Sequence, residues 1–283
     1  MKRFNFNKPL VESPTPPLNT DVLWVNIDEN TGEVLSIKEF DNEWKEKINT
    51  DKGIPDTHKI LYTTSTNTLA QIKHDSLIGL TYTNNQGVWL FKEPITDLST
   101  MIRNISNITM LTIPGSVTTI SSGQIPTSVQ TIVLKDGVQT INSSTFSNCY
   151  ELKDITLPNS ITSIGSSAFN NCSNLEYISL PNAIKTLSTT LFINCSSLTS
   201  VNIPNSVKSI DTNVFKGCTK LKSITIPNSV TEIKLPVFVN CDNLTSIIVK
   251  NDNPIFDSRD NCNAIIETAT NTLITGCKNT IIP

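Results

Sequence analysis

Hydrophobic residues recur along most of the chain at an interval of 23 residues. Five columns of side chains keep this interval independently: aliphatic, phenylalanine, cysteine, leucine and proline. Their members are Ile141, Ile164, Leu187, Ile210 and Ile233; Phe146, Phe169, Phe192, Phe215 and Phe238; Cys149, Cys172, Cys195, Cys218 and Cys241; Leu152, Leu175, Leu198, Leu221 and Leu244; and Pro158, Pro181, Pro204 and Pro227. Such a period is typical of solenoids, in which each repeat forms one coil and buries its apolar side against its neighbours.

Each coil is predicted to contain a short strand. Ile178 and Leu180 alternate with Tyr177 and Ser179, so the aliphatic side chains are expected to face the core and the other two to face solvent. Pro181 follows the strand, and because proline has no N–H to donate, we expect every strand to end at this corner.

The rest of each coil is predicted to consist of a second inward-facing segment and a tight arc. Ile161 and Ile164 mark the second segment. Residues 166–172 (SSAFNNC) are mostly small and polar, which favours a helical or 3₁₀ turn in which Phe169 fills the core.

The period persists in degenerate form on both sides of the regular repeats. Residues 95–114 fit the unit with one residue deleted, and residues 115–134 fit it with two deleted and Ile125 in the phenylalanine column. Residues 249–281 are predicted to form a longer, degenerate coil. The repeat therefore predicts about eight coils and, at ~4.8 Å per strand, a rod about 40 Å long.

The repeat unit, L-P-x-S-[VI]-x-x-I-x-x-x-x-F-x-x-C-x-x-L-x-x-I-x, resembles the BspA-type leucine-rich repeat over residues 88–283. The resemblance implies an α/β-type leucine-rich repeat solenoid that is mostly β, with short helical or 3₁₀ arcs and 23-residue coils. Residues 249–283 are similar to an irregular C-terminal segment of that family. The family implies binding to matrix proteins, other bacteria or host surfaces, without specifying which.

The N-terminal third is predicted to be a small β module in front of the solenoid. Residues 1–20 are predicted to be an extended arm, because Phe4 and Phe6 alternate with polar residues and three prolines follow. Residues 21–50 are predicted to form a β-hairpin around Asn30–Gly32, carrying Trp24 and Trp44. Residues 51–87 are predicted to supply connecting strands and an N-terminal cap.

This N-terminal hairpin resembles the virion-attachment modules of phage structural proteins. The residues that carry the resemblance are Trp24, Val25, Asn26, Thr31, Gly32 and Glu33. The resemblance implies docking to virion structural proteins through Phe4, Phe6, Trp24 and Trp44.

Composition argues against two classes of partner. The formal net charge of the 283-residue chain is −3 and charged residues make up 17%, without a Lys/Arg cluster, so nucleic acid is not expected as a partner. No run approaches the ~18 apolar residues of a membrane-spanning helix.

The first residues lack the apolar segment of a signal peptide, which favours folding in the cytoplasm. A processed secreted chain is the alternative.

The cysteines are predicted to be buried, reduced thiols. Their odd number, seven, does not suit a disulfide framework. The 23-residue step is also much longer than the spacing of paired zinc ligands. A bond between Cys262 and Cys277 is the alternative for these two.

No cluster of catalytic residues is evident. The two histidines, His58 and His74, lie in the N-terminal third, and neither a nucleophile elbow nor a phosphate loop is present. We therefore predict a non-enzymatic protein without a cofactor.

Asp252, Asp257 and Asp260 lie among asparagines, which suits either a turn-rich cap or a calcium site.

Two surfaces are candidates for binding. The outward strand positions form a predicted binding face of mostly short polar groups: Asp154, Thr156, Glu176, Tyr177, Ser179, Ser200, Asn202, Ser223 and Thr225. Ile193, Leu235 and Val239 are apolar at arc positions that are mostly polar in other coils, which indicates an association patch or local repacking. Self-association of the chain is one use of such a patch.

The leading hypothesis is a phage structural protein, such as a tail or head fibre or a decoration protein, located in the virion. Its N-terminus would dock on the virion, and the solenoid would adhere to a host-surface or mucosal protein or glycan. The alternatives are a cell-surface or secreted bacterial adhesin and an intracellular interaction scaffold.

Overall fold

The computed structural model describes residues 23–27, 34–41, 43–49, 59–65, 77–83, 85–98, 102 and 105–282. Six antiparallel strands precede the repeats. They are β1 (Leu23–Ile27), β2 (Val34–Asp41), β3 (Glu43–Asn49), β4 (Lys59–Thr64), β5 (Leu77–Thr83) and β6 (Gln86–Phe91). β1, β2 and β3 form one antiparallel sheet in this order.

The repeats form two rows of short parallel strands. The first row consists of β7 (Ile108–Ile113), β9 (Thr131–Leu134), β11 (Asp154–Thr156), β13 (Tyr177–Ser179), β15 (Ser200–Asn202), β17 (Ser223–Ile226) and β19 (Ser246–Val249). The second row consists of β8 (Thr119–Ile120), β10 (Thr140–Ile141), β12 (Ser163–Ile164), β14 (Thr186–Leu187), β16 (Ser209–Ile210) and β18 (Glu232–Ile233).

The register of the paired strands reproduces the sequence period. Tyr177 lies opposite Ser200 on β13 and β15, one repeat of 23 residues apart. Met110 on β7 lies opposite Thr131 on β9. This step is two residues shorter than the regular repeat, because two residues are deleted from the repeat unit here. The predicted mostly-β solenoid with 23-residue coils is confirmed.

The phenylalanine column runs through the core as a stack of rings. Centroids of successive rings from Phe146 to Phe238 lie 5.2, 5.6, 5.8 and 5.7 Å apart, with interplanar angles of 20° or less. The first four rings are 0% exposed. The offset stacking of aromatic rings adds to the free energy gained from burial.

The arcs are chains of turns rather than helices. In the arc 166–172, Asn170 N–H donates to Ser167 O and Cys172 N–H donates to Phe169 O, which are i→i+3 bonds like those of a 3₁₀ turn. Ser167 and Asn171, however, have φ of 58° and 60°, whereas the residues of a regular right-handed helix have negative φ. The 3₁₀ helix found in the described part of the chain is Arg259–Asn261, outside the arcs.

Neighbouring arcs are joined by a third hydrogen-bond ladder. Phe169 N–H donates to Leu191 O at 3.1 Å, and Asn171 N–H donates to Ile193 O at 2.9 Å. Equivalent bonds link all the arcs from 143–149 to 235–241. Each coil therefore satisfies backbone groups of its neighbours on three sides.

The cysteine column lies beside the phenylalanine column. The thiols of Cys172, Cys195 and Cys218 donate to the phenylalanine carbonyl of the preceding coil at 3.1–3.2 Å. Burial raises the pKa of the Cys172 and Cys195 thiols well above the ordinary value. All seven cysteines are free, including Cys262 and Cys277.

The N-terminal end of the solenoid is covered by antiparallel strands. β4 pairs with β7, and β6 and β5 continue the same sheet. Tyr62 and Trp89 lie on β4 and β6, are almost fully buried, and stack with ring centroids 4.2 Å apart.

Residues 249–281, expected to form a degenerate coil, contain an antiparallel sheet of β20 (Phe256–Asp257), β21 (Ala264–Glu267) and β22 (Thr272–Gly276). The first row therefore contains seven parallel strands in the described chain, fewer than the eight coils expected. The reason is that antiparallel strands replace further coils at both ends. No helix in the described residues is long and apolar enough to span a membrane.

Asp257 is bound within the C-terminal sheet. Its carboxylate accepts hydrogen bonds from Arg259 Nε at 2.8 Å and Thr268 Oγ1 at 2.9 Å. The bond from Arg259 is the main reason that the pKa of Asp257 is lowered to about 2. Within the described residues, no group of three or more His, Cys, Asp or Glu side chains is placed to hold a metal ion.

Candidate binding face

The predicted binding face lies on the solvent side of the first row. Strand alternation directs Ile178 and Val201 into the core, where they are 1% and 7% exposed. Their neighbours along the strands point outward. The side chains of the binding face are all exposed: Asp154, Thr156, Glu176, Tyr177, Ser179, Ser200, Asn202, Ser223 and Thr225.

Most groups on this face are short hydroxyls and amides, and one aromatic ring stands among them. Tyr177 lies in register with Ser200, and Ser179 with Asn202. The Tyr177 side chain is 52% exposed. Ile248 on β19 is 49% exposed and lies opposite Thr225. The face thus presents two apolar groups surrounded by hydrogen-bonding groups.

A shallow depression of about 200 Å³ crosses this face diagonally. It is lined by Tyr177, Ser200, Val201, Asn202, Ile203, Thr225, Pro227 and Lys250. This volume is smaller than the ~300–1,000 Å³ of typical small-molecule pockets. The depression suits a side chain of a larger partner better than an enclosed ligand.

Lys250 is the charged residue of this depression, and the sequence analysis did not predict it as part of the face. It occupies the column in which the preceding coils have Pro181, Pro204 and Pro227. Its N–H donates to Ile226 O at 2.9 Å, a bond that a proline could not make. The exchange of proline for lysine in an otherwise regular column is the signal that marks this position.

The predicted association patch is only partly assembled. Leu235 and Val239 are 49% and 36% exposed and lie in the same arc. Ile193 lies two coils away and is half-buried, with Lys216 between it and Val239 in the same column. Ile193 therefore does not join the exposed apolar pair.

The predicted virion-docking residues are in the N-terminal region. Phe4 and Phe6 lie outside the described residues. Trp24 lies on β1, paired with Lys38, and Trp44 lies on β3, paired with Phe40; the structure describes only the backbone at these positions.

The repeat is recognised by comparison with known families. A sequence model of the BspA type leucine-rich repeat region matches residues 90–150 and 124–245, with six copies of the repeat. The chain belongs to the BspA-type leucine-rich repeat family. Members of this family are repeat proteins and are not known as enzymes. No curated protein sequence matches the chain.

Two solved structures of leucine-rich repeat proteins are similar to this BspA-type chain. A leucine-rich cell surface protein from Faecalibacterium prausnitzii is 31% identical with a TM-score of 0.53; the match covers 59% of this chain and 45% of that protein. A leucine-rich repeat protein from Bacteroides ovatus is 24% identical with a TM-score of 0.52, covering 84% of this chain and 54% of that protein. The match thus spans about half the length of both proteins.

Proposed function

We propose that this BspA-type protein acts at a bacterial cell surface and binds a protein partner through the face of its first strand row. The observation that carries the proposal is the flat, exposed face centred on Tyr177. The likeness to a cell surface protein supports the location. Both similar structures are of bacterial proteins, so the comparisons favour the bacterial alternative over the virion hypothesis.

The chemistry of the face favours a protein over a small molecule. Backbone groups of the stacked strands are largely occupied by their neighbours, so recognition depends on side chains. Protein interfaces combine an apolar centre with a polar surround, and aromatic residues are enriched in them. Tyr177, Ile248 and the surrounding Ser, Thr and Asn side chains fit this description.

The location is tested on intact cells of the bacterium that carries the gene. An antibody against the chain should label unbroken cells, and external protease should remove the label. A cytoplasmic enzyme serves as the control for lysis. Labelling only after lysis, or recovery of the chain only in purified virions, would contradict the proposed location.

The class of partner is tested by binding purified chain to cultured epithelial cells. Treating the cells with trypsin beforehand should abolish binding, because the proposed partner is a protein. Mild periodate, which oxidises glycans, should leave binding unchanged. Loss of binding after periodate but not after trypsin would identify a glycan ligand and contradict the proposal.

A further inference from the structure

The arc ladder ends at the arc 235–241 with an open edge. In the inner arcs, backbone N–H groups donate to carbonyl groups of the next coil. Phe215 N–H, for example, donates to Val237 O at 3.2 Å, and Gly217 N–H donates to Val239 O at 2.8 Å. The corresponding donors of the last arc are the N–H groups of Phe238 and Asn240. Neither has an acceptor within the described chain.

The carbonyl of Phe238 also lacks one of its expected partners. The carbonyls of Phe146, Phe169, Phe192 and Phe215 each accept a thiol from the following coil. Phe238 O accepts the N–H of Cys241 in its own arc at 3.3 Å, but no thiol from a further coil. Two donors and one acceptor thus remain available along one edge.

Apolar side chains border the same edge. The ring of Phe238 stacks on Phe215 on one side and is half-buried, in contrast to the fully buried inner rings. Leu235 and Val239 are 49% and 36% exposed. The C-terminal segment approaches a different part of the coil, where Lys278 N–H donates to Leu244 O at 3.1 Å.

We propose that this open edge, defined by Leu235, Phe238, Val239 and Asn240, binds a segment of another protein that adopts the turn conformation of an inner arc, as an added rung of the ladder. The repeated contact between inner arcs defines the occupant. It must present carbonyl groups at alternate residues to Phe238 N–H and Asn240 N–H, and a large apolar side chain to the open side of the Phe238 ring. Unpaired edges of β-sheets bind peptides through backbone hydrogen bonds of the same kind.

A second copy of the chain does not provide such a segment from its own first arc. Phe146 and Cys149 in that arc are 0% and 1% exposed. The segment before this arc also lies against it, because Thr145 Oγ1 donates to Ile120 O at 3.0 Å. The occupant is therefore expected to be a segment of a different protein, at a site separate from the face around Tyr177.

The test uses the full chain and a synthetic peptide that copies residues 188–198 (STTLFINCSSL), an inner arc with the required geometry. In an NMR titration of ¹⁵N-labelled protein under reducing conditions, the peptide should shift the amide signals of Phe238 and Asn240 and slow their hydrogen exchange. A peptide with alanine in place of the phenylalanine should bind about tenfold more weakly, because it cannot stack on Phe238.

Matched protein variants locate the binding. Val239→Asp places a charge on the edge and should weaken peptide binding by about tenfold. Leu61→Asp alters a similarly exposed apolar residue on β4, outside both the edge and the face around Tyr177, and should leave binding unchanged. If Val239→Asp does not fold, the amide exchange of the unmodified protein decides the question.

Three results would overturn the proposal. The first is the absence of shifts at Phe238 and Asn240 at millimolar peptide. The second is equal binding by the two variants. The third is concentration-dependent self-association that Val239→Asp abolishes, since this would show that the occupant is a second copy.

Discussion

Stacked phenylalanine rings link each coil to the next at the level of single residues. Phe192 lies between Phe169 and Phe215, with centroids 5.6 and 5.8 Å away, and is fully buried. Its side chain therefore contributes to two coil–coil contacts, and neighbouring rings cannot easily close the space that its removal would leave.

Replacing Phe192 with alanine should lower the free energy of unfolding by about 3–5 kcal/mol, the cost of removing a buried aromatic side chain. The measurement is denaturant-induced unfolding. The control is Tyr177→Ala, an exposed position where the change should stay within about 0.5 kcal/mol. Similar losses at both positions would show that the phenylalanine column does not carry the stacking.

The buried thiols should be chemically inert in the folded protein. Burial raises the pKa of Cys172 and Cys195, and the thiolate is the reactive species. At about pH 8, iodoacetamide should leave these two cysteines and Cys218 unmodified until denaturant unfolds the chain. Mass spectrometry of the peptides measures the modification; equal rates in folded and unfolded protein would disprove burial.

The arc, as an element, depends on residues that tolerate a left-handed backbone. The position before each cysteine of the 23-residue column has φ between 57° and 76° and is occupied by Asn148, Asn171, Asn194, Gly217 and Asn240. Asparagine and glycine adopt this conformation most readily. The side chains also form a ladder: Asn171 Nδ2 donates to Asn148 Oδ1 at 2.7 Å, and Asn194 Nδ2 to Asn171 Oδ1 at 2.9 Å.

Asn171→Ala should be less stable than Asn171→Gly by about 1 kcal/mol. Both variants lose the side-chain ladder, so the difference isolates the backbone conformation. The control is the same pair of substitutions at Asn182, an exposed position without positive φ. There alanine should be at least as stable as glycine. If glycine were favoured equally at both positions, the left-handed arc would be contradicted.

The C-terminal sheet should lose a stabilising contact in acid. The Arg259 guanidinium holds the pKa of Asp257 down at about 2, below the ~3.9 of an unfolded chain. Because the folded pKa is the lower one, the contribution is complete above about pH 4 and is lost as the pH falls through about 2. Unfolding measured at about pH 5 and about pH 2 should show a smaller pH dependence in Asp257→Asn than in the parent protein. An unchanged pH dependence would contradict this contact.

The sequence predicted regular elements better than irregular ones. Strand alternation at Ile178 and the core position of Phe169 follow from periodicity alone. The arcs were predicted to be helical or 3₁₀ turns, although Gly217 in the asparagine column signals a positive φ. The C-terminal sheet depends on pairing between distant residues. The loss of the 23-residue period in this segment therefore did not reveal which strands would form.

For the whole molecule, stacking produces both the stability and the face that is proposed to bind a partner. No coil buries its apolar side alone, so each depends on its neighbours. The same stacking aligns the outward positions of the first row into a continuous face. The columns predicted the position of this face, whereas the depression depends on Lys250, which departs from its column.

The most direct test of the proposed binding face compares two tyrosines of similar exposure. Tyr177, 52% exposed, lies on the face, and Tyr150, 50% exposed, lies after an arc. Binding of purified variants to epithelial cells is measured by flow cytometry. We expect Tyr177→Asp to weaken binding by about tenfold and Tyr150→Asp to leave it nearly unchanged. Equal binding by the two variants, or a greater loss with Tyr150→Asp, would contradict a binding site at this face.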